Sequence, residues 1–381
     1  MTGVQTCALP IFQLQNLPRI GKSEIPRITA IADSVEPSSD GMGLVANATT
    51  DDLKLLIRAC LIAPSSFTIA DFSNIEARVV AWLAGEDSVL EAIRAGKEIY
   101  KITWSLISGM PTEEIGKDSP ERWRGKITTL ACGYGGGVGA LVRMGGNDLP
   151  IPEDFEQRHY QEFLESARAT HEVLTERARR DDTPLPAPVD LDSVAAAHNE
   201  VLRHDYLDHL KNLWRQANPN IVQFWYDLER AFEEAATTGV RTEVSRVVVQ
   251  SPAKRVVEIV LPSGRALVYR NVHRVTRTET DPETGEETTR SALAYQQGRD
   301  LGYTWGGSLT ENVTQAVARD VMAEALLRVD RMGGKIVAHI HDEIVVEGDF
   351  PLAEQMCVVP EWAKGLPLAA DSVKSQRYLG H

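Results

Sequence analysis

The sequence predicts an α+β protein, with a small antiparallel sheet carrying acidic turns and a largely helical remainder. Three observations predict it. Residues 336–346 read as two short apolar, β-branched runs around His341, Asp342 and Glu343, the pattern of a hairpin with a polar tip. Residues 67–70 read as a strand ending at Asp71, after which Ile75, Val79, Val80 and Leu83 adopt helical spacing. Much of the chain between these segments has apolar residues at helical intervals.

The hairpin tip carries the first chemical signal. A carboxylate near a core costs several kcal/mol unless a cation, a basic partner or water meets it. Alone, His341-Asp342-Glu343 also fits a solvated turn. Asp71 at the end of a second strand shifts the balance. With Asp342 beside it, two carboxylates could bind two divalent ions, the requirement for in-line phosphoryl transfer. Hard oxygen ligands suit Mg²⁺.

Composition sets outer bounds. The 381 residues allow one large or two modest domains, and 43% hydrophobic with 25% charged residues is ordinary for a globular protein. A net charge of −14 argues against a general polyanion-binding surface but permits a local basic cleft. No apolar run reaches membrane-spanning length, so no membrane partner is expected. Cys7, Cys60, Cys132 and Cys357 lack metal-ligand spacing and fit a reducing cytoplasm.

In chain order, residues 2–11 read as the in-frame translation of a common short-read sequencing adapter. Residues 1–11 are therefore expected to be an artefact, and the natural protein to extend upstream. Residues 13–19 are polar and extended, with Gln15 and Asn16 available to a nucleic-acid backbone or simply in a loop. Residues 33–50 read as loop, 51–60 as a capped helix, and 88–95 and 100–107 as two more helices.

Residues 122–135 form the third informative stretch. If helical, Arg122, Lys126, Leu130 and Tyr134 share one face, with Gly133 beside them. Two cations one turn apart suit a triphosphate; an amphipathic surface helix is the plainer alternative. The glycines at 135–139 suggest a phosphate loop, but no strand precedes them, and the spacing around Gly125-Lys126 does not match.

Residues 145–205 read as an acidic helical excursion broken by a Pro-rich loop. Residues 207–217 and 221–235 read as helices broken at Pro219, the second exposing Phe224 and Trp225. Strands are expected at 247–249, 255–261 and 265–272, with Pro262-Ser263-Gly264 as a turn. Residues 278–289 read as a mobile acidic loop. Residues 310–329 read as a long helix carrying Gln315, and it leads into the hairpin.

Taken together, residues 71–78, 122–135 and 341–343 resemble motifs A, B and C of the family A (polymerase I-like) DNA polymerases, nearest the phage and prophage type. Order and internal spacing agree, and the resemblance runs from about residue 13 to the C-terminus. Residues 14–18 resemble that family's primer-contacting segment, and 309–320 its template-strand helix.

The resemblance implies a right-hand fold without its thumb. Its palm would comprise residues 12–82 and 329–381, and its fingers 83–328, with an acidic insertion at about 145–205 and a strand-rich segment at about 245–300. It further implies that Asp71, Asp342 and the carbonyl of Phe72 hold two Mg²⁺, with Glu343 supporting them. Arg122 and Lys126 would bind the triphosphate of a dNTP, and Tyr134 would stack at the templating position. Glu76 would exclude ribonucleotides. Gln15, Asn16, Gln315 and His341 would contact primer–template DNA. Leu130 departs from the pattern, standing where many members place an aromatic, which bears on sugar discrimination and speed.

The implied activity is template-directed addition of dNTPs to a primer 3′-hydroxyl, in phage or prophage replication. A single-subunit RNA polymerase is the near alternative, and Glu76 and Glu343 argue against it. A nucleic-acid-binding fragment without turnover is the reading from another class.

Overall fold

The computed structural model describes residues 20–21, 23–34, 49–280 and 287–378. The expectations for residues 1–11, for Gln15 and Asn16, and for positions 35–48 and 281–286 lie outside the described residues.

In chain order, helices α1 (Ile25–Asp33) and α2 (Thr50–Ala59) precede strand β1 (Ile62–Phe72), which turns into α3 (Ile75–Ala84). Helices α4 (Asp87–Arg94), α5 (Ile99–Ser108), α6 (Pro120–Cys132) and α7 (Val138–Arg143) follow. Then come the long helices α8 (Glu153–Arg180), α9 (Leu191–Ala217) and α10 (Pro219–Thr238). Strands β2 (Thr242–Val244), β3 (Val247–Ala253), β4 (Val256–Val260) and β5 (Ala266–Arg270) lead to β6 (His273–Thr280), β7 (Glu287–Gln297) and β8 (Asp300–Thr304). The last elements are α11 (Gly306–Arg331), β9 (Lys335–Ile340), β10 (Glu343–Glu347), α12 (Leu352–Met356) and β11 (Ala370–Arg377). Helices and antiparallel sheets occupy separate stretches, the α+β class that the sequence predicts.

Two compact units divide the chain inside two helices. One holds the described residues up to Val79 and from Gln315 onward; the other runs from Val80 to Thr314.

The first unit is organised by a four-stranded antiparallel sheet of order β11-β1-β10-β9. β1 is longer than the strand expected at 67–71. It begins at Ile62 and carries an irregularity before Phe67, in the stretch where Pro64 cannot donate to the ladder. Phe67 and Ile69 alternate onto one face and pack with Ala63, Ile340, Val345 and Tyr378. Beside the sheet, α1 and α2 bury Ile28, Ala32, Leu56 and Ala59 against each other. α2 is capped one residue earlier than expected. Thr49 accepts a bond from the Asp52 backbone N–H, and Asp52 accepts one from the Thr49 backbone N–H.

The second unit has a helical core around Trp104, Ile127, Cys132, Leu141, Tyr206, Leu207, Trp214 and Trp225. Here several expectations are corrected. Phe224 and Trp225 are buried, not exposed. Trp225 stacks parallel on Trp214, ring centroids 5.9 Å apart, and its indole N–H donates to the Gly133 carbonyl at 3.0 Å. The helix expected at 207–217 is the end of α9, a 27-residue helix starting at Leu191, because its buried face continues upstream through Leu202, His198 and Val194.

Pro219 opens α10 at a position where its missing N–H costs nothing. The buried Glu86 carboxylate accepts the next two N–H groups, from Asn220 at 2.9 Å and Ile221 at 3.3 Å. Burial pushes the Glu86 carboxyl above its ordinary value. The loop expected at 278–289 is partly strand: Thr278 pairs with Thr289 and Thr280 with Glu287 in the β6–β7 ladder. Threonine-rich sequence favours extended backbone more than its polarity suggests.

Candidate active site

In the first unit the acidic residues converge through strand register. β1 lies between β10 and β11, with Asp71 directly opposite Glu343 on one side and Asp371 on the other. Directly opposed residues project from the same face of a sheet, so Asp71, Glu343 and Asp371 form a row. That row closes the face bearing Phe67, Ile69 and Val345. One residue further, the Phe72 N–H donates to the Asp342 carbonyl at 3.1 Å, tying the two acidic turns together. Register thus brings Asp71, Phe72, Asp342 and Glu343 to one sheet end, although the sequence places them far apart.

The hairpin tip is narrower than the sequence suggests. Ile340 and Glu343 are paired, leaving only His341 and Asp342 in the turn; Glu343 is the first residue of β10. His341 has a φ of 52°, in the left-handed region, which two-residue hairpin turns require at their first position. Asn74, between β1 and α3, has a φ of 51°. Each strained residue therefore lies next to, or three positions from, an acidic candidate.

Around Asp71, the Arg78 guanidinium donates to the Ser73 carbonyl at 2.6 Å and to the Pro367 carbonyl at 3.0 Å. Burial lowers its pKa. Ser73 Oγ donates to Asp371 Oδ2 at 2.9 Å. Glu343 is buried, and the Tyr378 hydroxyl donates to its Oε1 at 2.6 Å. Glu76 is exposed in the first turn of α3, and Gln315 and His341 are also exposed. Asp371, Arg58 and Tyr378 are absent from the sequence-based candidates. No local motif marks them: the register of β11 on β1 brings in Asp371, Tyr378 follows that strand, and Arg58 reaches from α2 to the Tyr378 hydroxyl.

Among the described residues no three His, Cys, Asp or Glu side chains form a metal-holding group by themselves. The donor chemistry nevertheless fits Mg²⁺. Two aspartates and a backbone carbonyl are all-oxygen donors, and Mg²⁺ commonly takes one or two carboxylates, filling its remaining positions with water and substrate phosphate.

The second unit holds the residues expected to meet a triphosphate. Ser119 caps α6, its hydroxyl accepting from the Arg122 N–H at 3.3 Å, and Pro120 follows at the first helical position. Arg122, Lys126 and Leu130 lie on one stripe, Lys126 and Leu130 exposed. Tyr134 does not extend the stripe, because α6 ends at Cys132 and Tyr134 sits in the following turn, half-buried against the helical core.

Arg122 is engaged by Glu98 through a bidentate pair, Nε to Oε2 and Nη2 to Oε1 both at 2.8 Å, and lies 5.3 Å from the centre of the Tyr100 ring. The hydrogen bonds to Glu98 raise its pKa further. One turn along α6 from Arg122, Gly125 packs against α5 at the same residue, Tyr100. A Cβ there would stand 2.0 Å from the Tyr100 carbonyl oxygen, so only glycine permits the crossing. The Thr103 and Thr129 hydroxyls, 2.8 Å apart, bridge the same two helices. Gly133 is buried, its carbonyl accepts the Trp225 indole N–H, and a Cβ there would meet the Thr129 carbonyl oxygen at 3.2 Å.

The model of DNA polymerase family A matches residues 15–182. The DNA polymerase of Bacillus phage SP02 is 33% identical over 97% of this chain and 49% of its own length. The DNA polymerase I of Aquifex aeolicus is 35% identical over 26% of this chain and 18% of its own. Among solved structures, the POL domain of Pol1 from M. smegmatis, in complex with DNA primer-template and dNTP, aligns over 90% of this chain and 45% of that one. Its sequence identity is 15% and its TM-score 0.46. The chain spans about half the length of its phage relative. In sequence the chain is therefore similar to DNA polymerase family A over residues 15–182, and to a phage DNA polymerase over nearly its whole length.

Proposed function

We propose that this chain carries the nucleotidyl-transfer centre of a template-directed DNA polymerase. The observation behind this reading is the register of β1, which sets Asp71 opposite Glu343 while Phe72 bonds to Asp342. Phage SP02 DNA polymerase, similar over nearly the whole chain, supports it, and suggests a role in phage or prophage replication inside a bacterial cell.

Asp71, Asp342 and the Phe72 carbonyl would hold two divalent ions, Mg²⁺ by donor type, with Glu343 beside them. Bound there, the ions supply Lewis-acid stabilisation of the entering and leaving oxygens. The protein's share is positional. The β1–β10 register fixes the carboxylates before substrate arrives, so no reorganisation is needed during reaction. Lys126 and Arg122 offer cationic charge to the triphosphate of an incoming dNTP, Arg122 by exchanging Glu98 for phosphate oxygens. Glu76 crowds the 2′ position of the sugar, and Tyr134 stacks at the templating base. Gln315 and His341 contact primer–template DNA.

Primer extension on an annealed template tests the proposal. The expected result is addition of the complementary dNTP alone, with Lys126→Ala reducing the rate and raising the KM for nucleotide together while duplex binding is retained. Unchanged kinetics in Lys126→Ala would remove α6 from the nucleotide site. Nucleic-acid binding with no extension by the wild-type protein would favour a fragment without turnover.

A further inference from the structure

Behind Glu343 lies a chain of buried polar groups that the reaction itself does not require. Arg58, near the end of α2, is 4% exposed; Tyr378, the residue after β11, is 2% exposed; Glu343, at the start of β10, is 8% exposed. Arg58 Nη1 donates to the Tyr378 hydroxyl oxygen at 3.1 Å, and that hydroxyl donates onward to Glu343 Oε1 at 2.6 Å. The Arg58 guanidinium also lies 5.4 Å from the centre of the Tyr378 ring.

The direction of these bonds is set by chemistry. A guanidinium only donates, a carboxylate only accepts, and the one hydroxyl proton must therefore point at Glu343. The arginine polarises the hydroxyl and strengthens the bond it gives. The backbone holds the tyrosine as well: its N–H donates to the Leu61 carbonyl at 2.9 Å, and its ring belongs to the apolar cluster with Phe67, Ile69 and Val345.

We infer that Tyr378 is a positioning residue: backed by Arg58, its hydroxyl fixes one oxygen of Glu343 and so holds that carboxylate in place beside Asp71 and Asp342. Placing a buried carboxylate at an acidic sheet end is costly unless its oxygens are hydrogen-bonded, and this chain supplies that bond from inside the fold. Among the described residues Glu343 forms no ion pair, and the bond it accepts comes from a hydroxyl. An arginine in direct contact would neutralise the carboxylate; a hydroxyl relay orients it and leaves its charge available to the site.

This inference rests on the proposed polymerase centre, and its test separates the two. The probe is Mn²⁺ titrated into the chain and followed by electron spin resonance, which requires no turnover. Tyr378→Phe keeps the ring and removes only the bridging hydroxyl. It is expected to weaken Mn²⁺ binding by about tenfold, the scale of an outer-shell defect, with an unchanged circular dichroism spectrum. In a double-mutant cycle with Glu343→Gln, Tyr378→Phe is expected to add nothing further, because it acts through Glu343.

Wild-type Mn²⁺ affinity in Tyr378→Phe, or full additivity with Glu343→Gln, would overturn the inference. Wild-type protein that shows the coupled Mn²⁺ response yet extends no primer would contradict the polymerase reading and uphold this one. Where extension occurs, Tyr378→Phe should lower kcat and leave the KM for dNTP within about twofold.

Discussion

Glu76 sits five positions beyond Asp71, exposed on the first turn of α3, and the proposed function sets it against the sugar of the incoming nucleotide. Glu76→Ala is expected to raise ribonucleotide use relative to deoxyribonucleotide use. A shape difference of one hydroxyl is worth about 1–3 kcal/mol in a pocket, so the ratio should change by about 5- to 150-fold. Competition assays with matched ribo- and deoxyribonucleotides check this, and an unchanged ratio would refute the role. Leu130, 44% exposed on the stripe that carries Lys126, is expected to act on sugar choice as well. Leu130→Tyr should alter how dideoxynucleotides compete and should leave correct dNTP addition intact. Asp71, Glu76, Lys126 and Asp342 were legible in the sequence because each sits in a short local pattern. Arg58, Asp371 and Tyr378 were not. Their relation to the site depends on how β11 pairs with β1, and no short-range pattern encodes that register.

At the scale of elements, α6 depends on two contacts that can be broken separately. Gly125→Ala would drive a methyl group into the Tyr100 carbonyl and force α5 and α6 apart. The expected loss is about 1–3 kcal/mol or more, read from denaturant unfolding. Gly139→Ala, inside α7 with only the end of the Arg143 side chain near its Cβ, is the control and should cost no stability. Glu98→Gln weakens the pair that holds Arg122, so nucleotide KM should fall if Arg122 is to exchange Glu98 for phosphate. A raised KM would mean that Glu98 presents Arg122 correctly rather than competing for it.

Asp52 gives a pH test. The Thr49 N–H, and after it Arg27, hold its carboxyl below the usual range. A carboxyl whose folded pKa is depressed stabilises the fold above its ordinary value, near 4, and loses that contribution as pH falls through the lowered one. The stability advantage of wild type over Asp52→Asn should thus be full at neutral pH and vanish on acidification through that window. A difference independent of pH would assign the effect to packing. Helix existence was legible throughout α3 to α6, whereas the burial of Trp225 was not. Its partners, Trp214 and the Gly133 carbonyl, come from other elements.

For the whole molecule, a net charge of −14 disfavours broad electrostatic attraction to DNA, so the proposed DNA recognition would be local. The fold class was readable because strand and helix periodicities occupy separate stretches. The extent of strand pairing was not: β6 and β7 continue into residues whose polarity resembles loop. In the proposed function Asp71 and Asp342, brought to one sheet end by the β1–β10 pairing and the Phe72–Asp342 bond, together drive nucleotidyl transfer. Rapid-quench addition of a single complementary dNTP tests this most directly, comparing wild type with Asp71→Asn and Asp342→Asn at matched DNA occupancy. The account expects wild-type addition with pyrophosphate release, and a rate lower by about 10³-fold or more in either variant while each still folds and binds the duplex. A folded, DNA-bound variant of either aspartate that extended primer at the wild-type rate would contradict it.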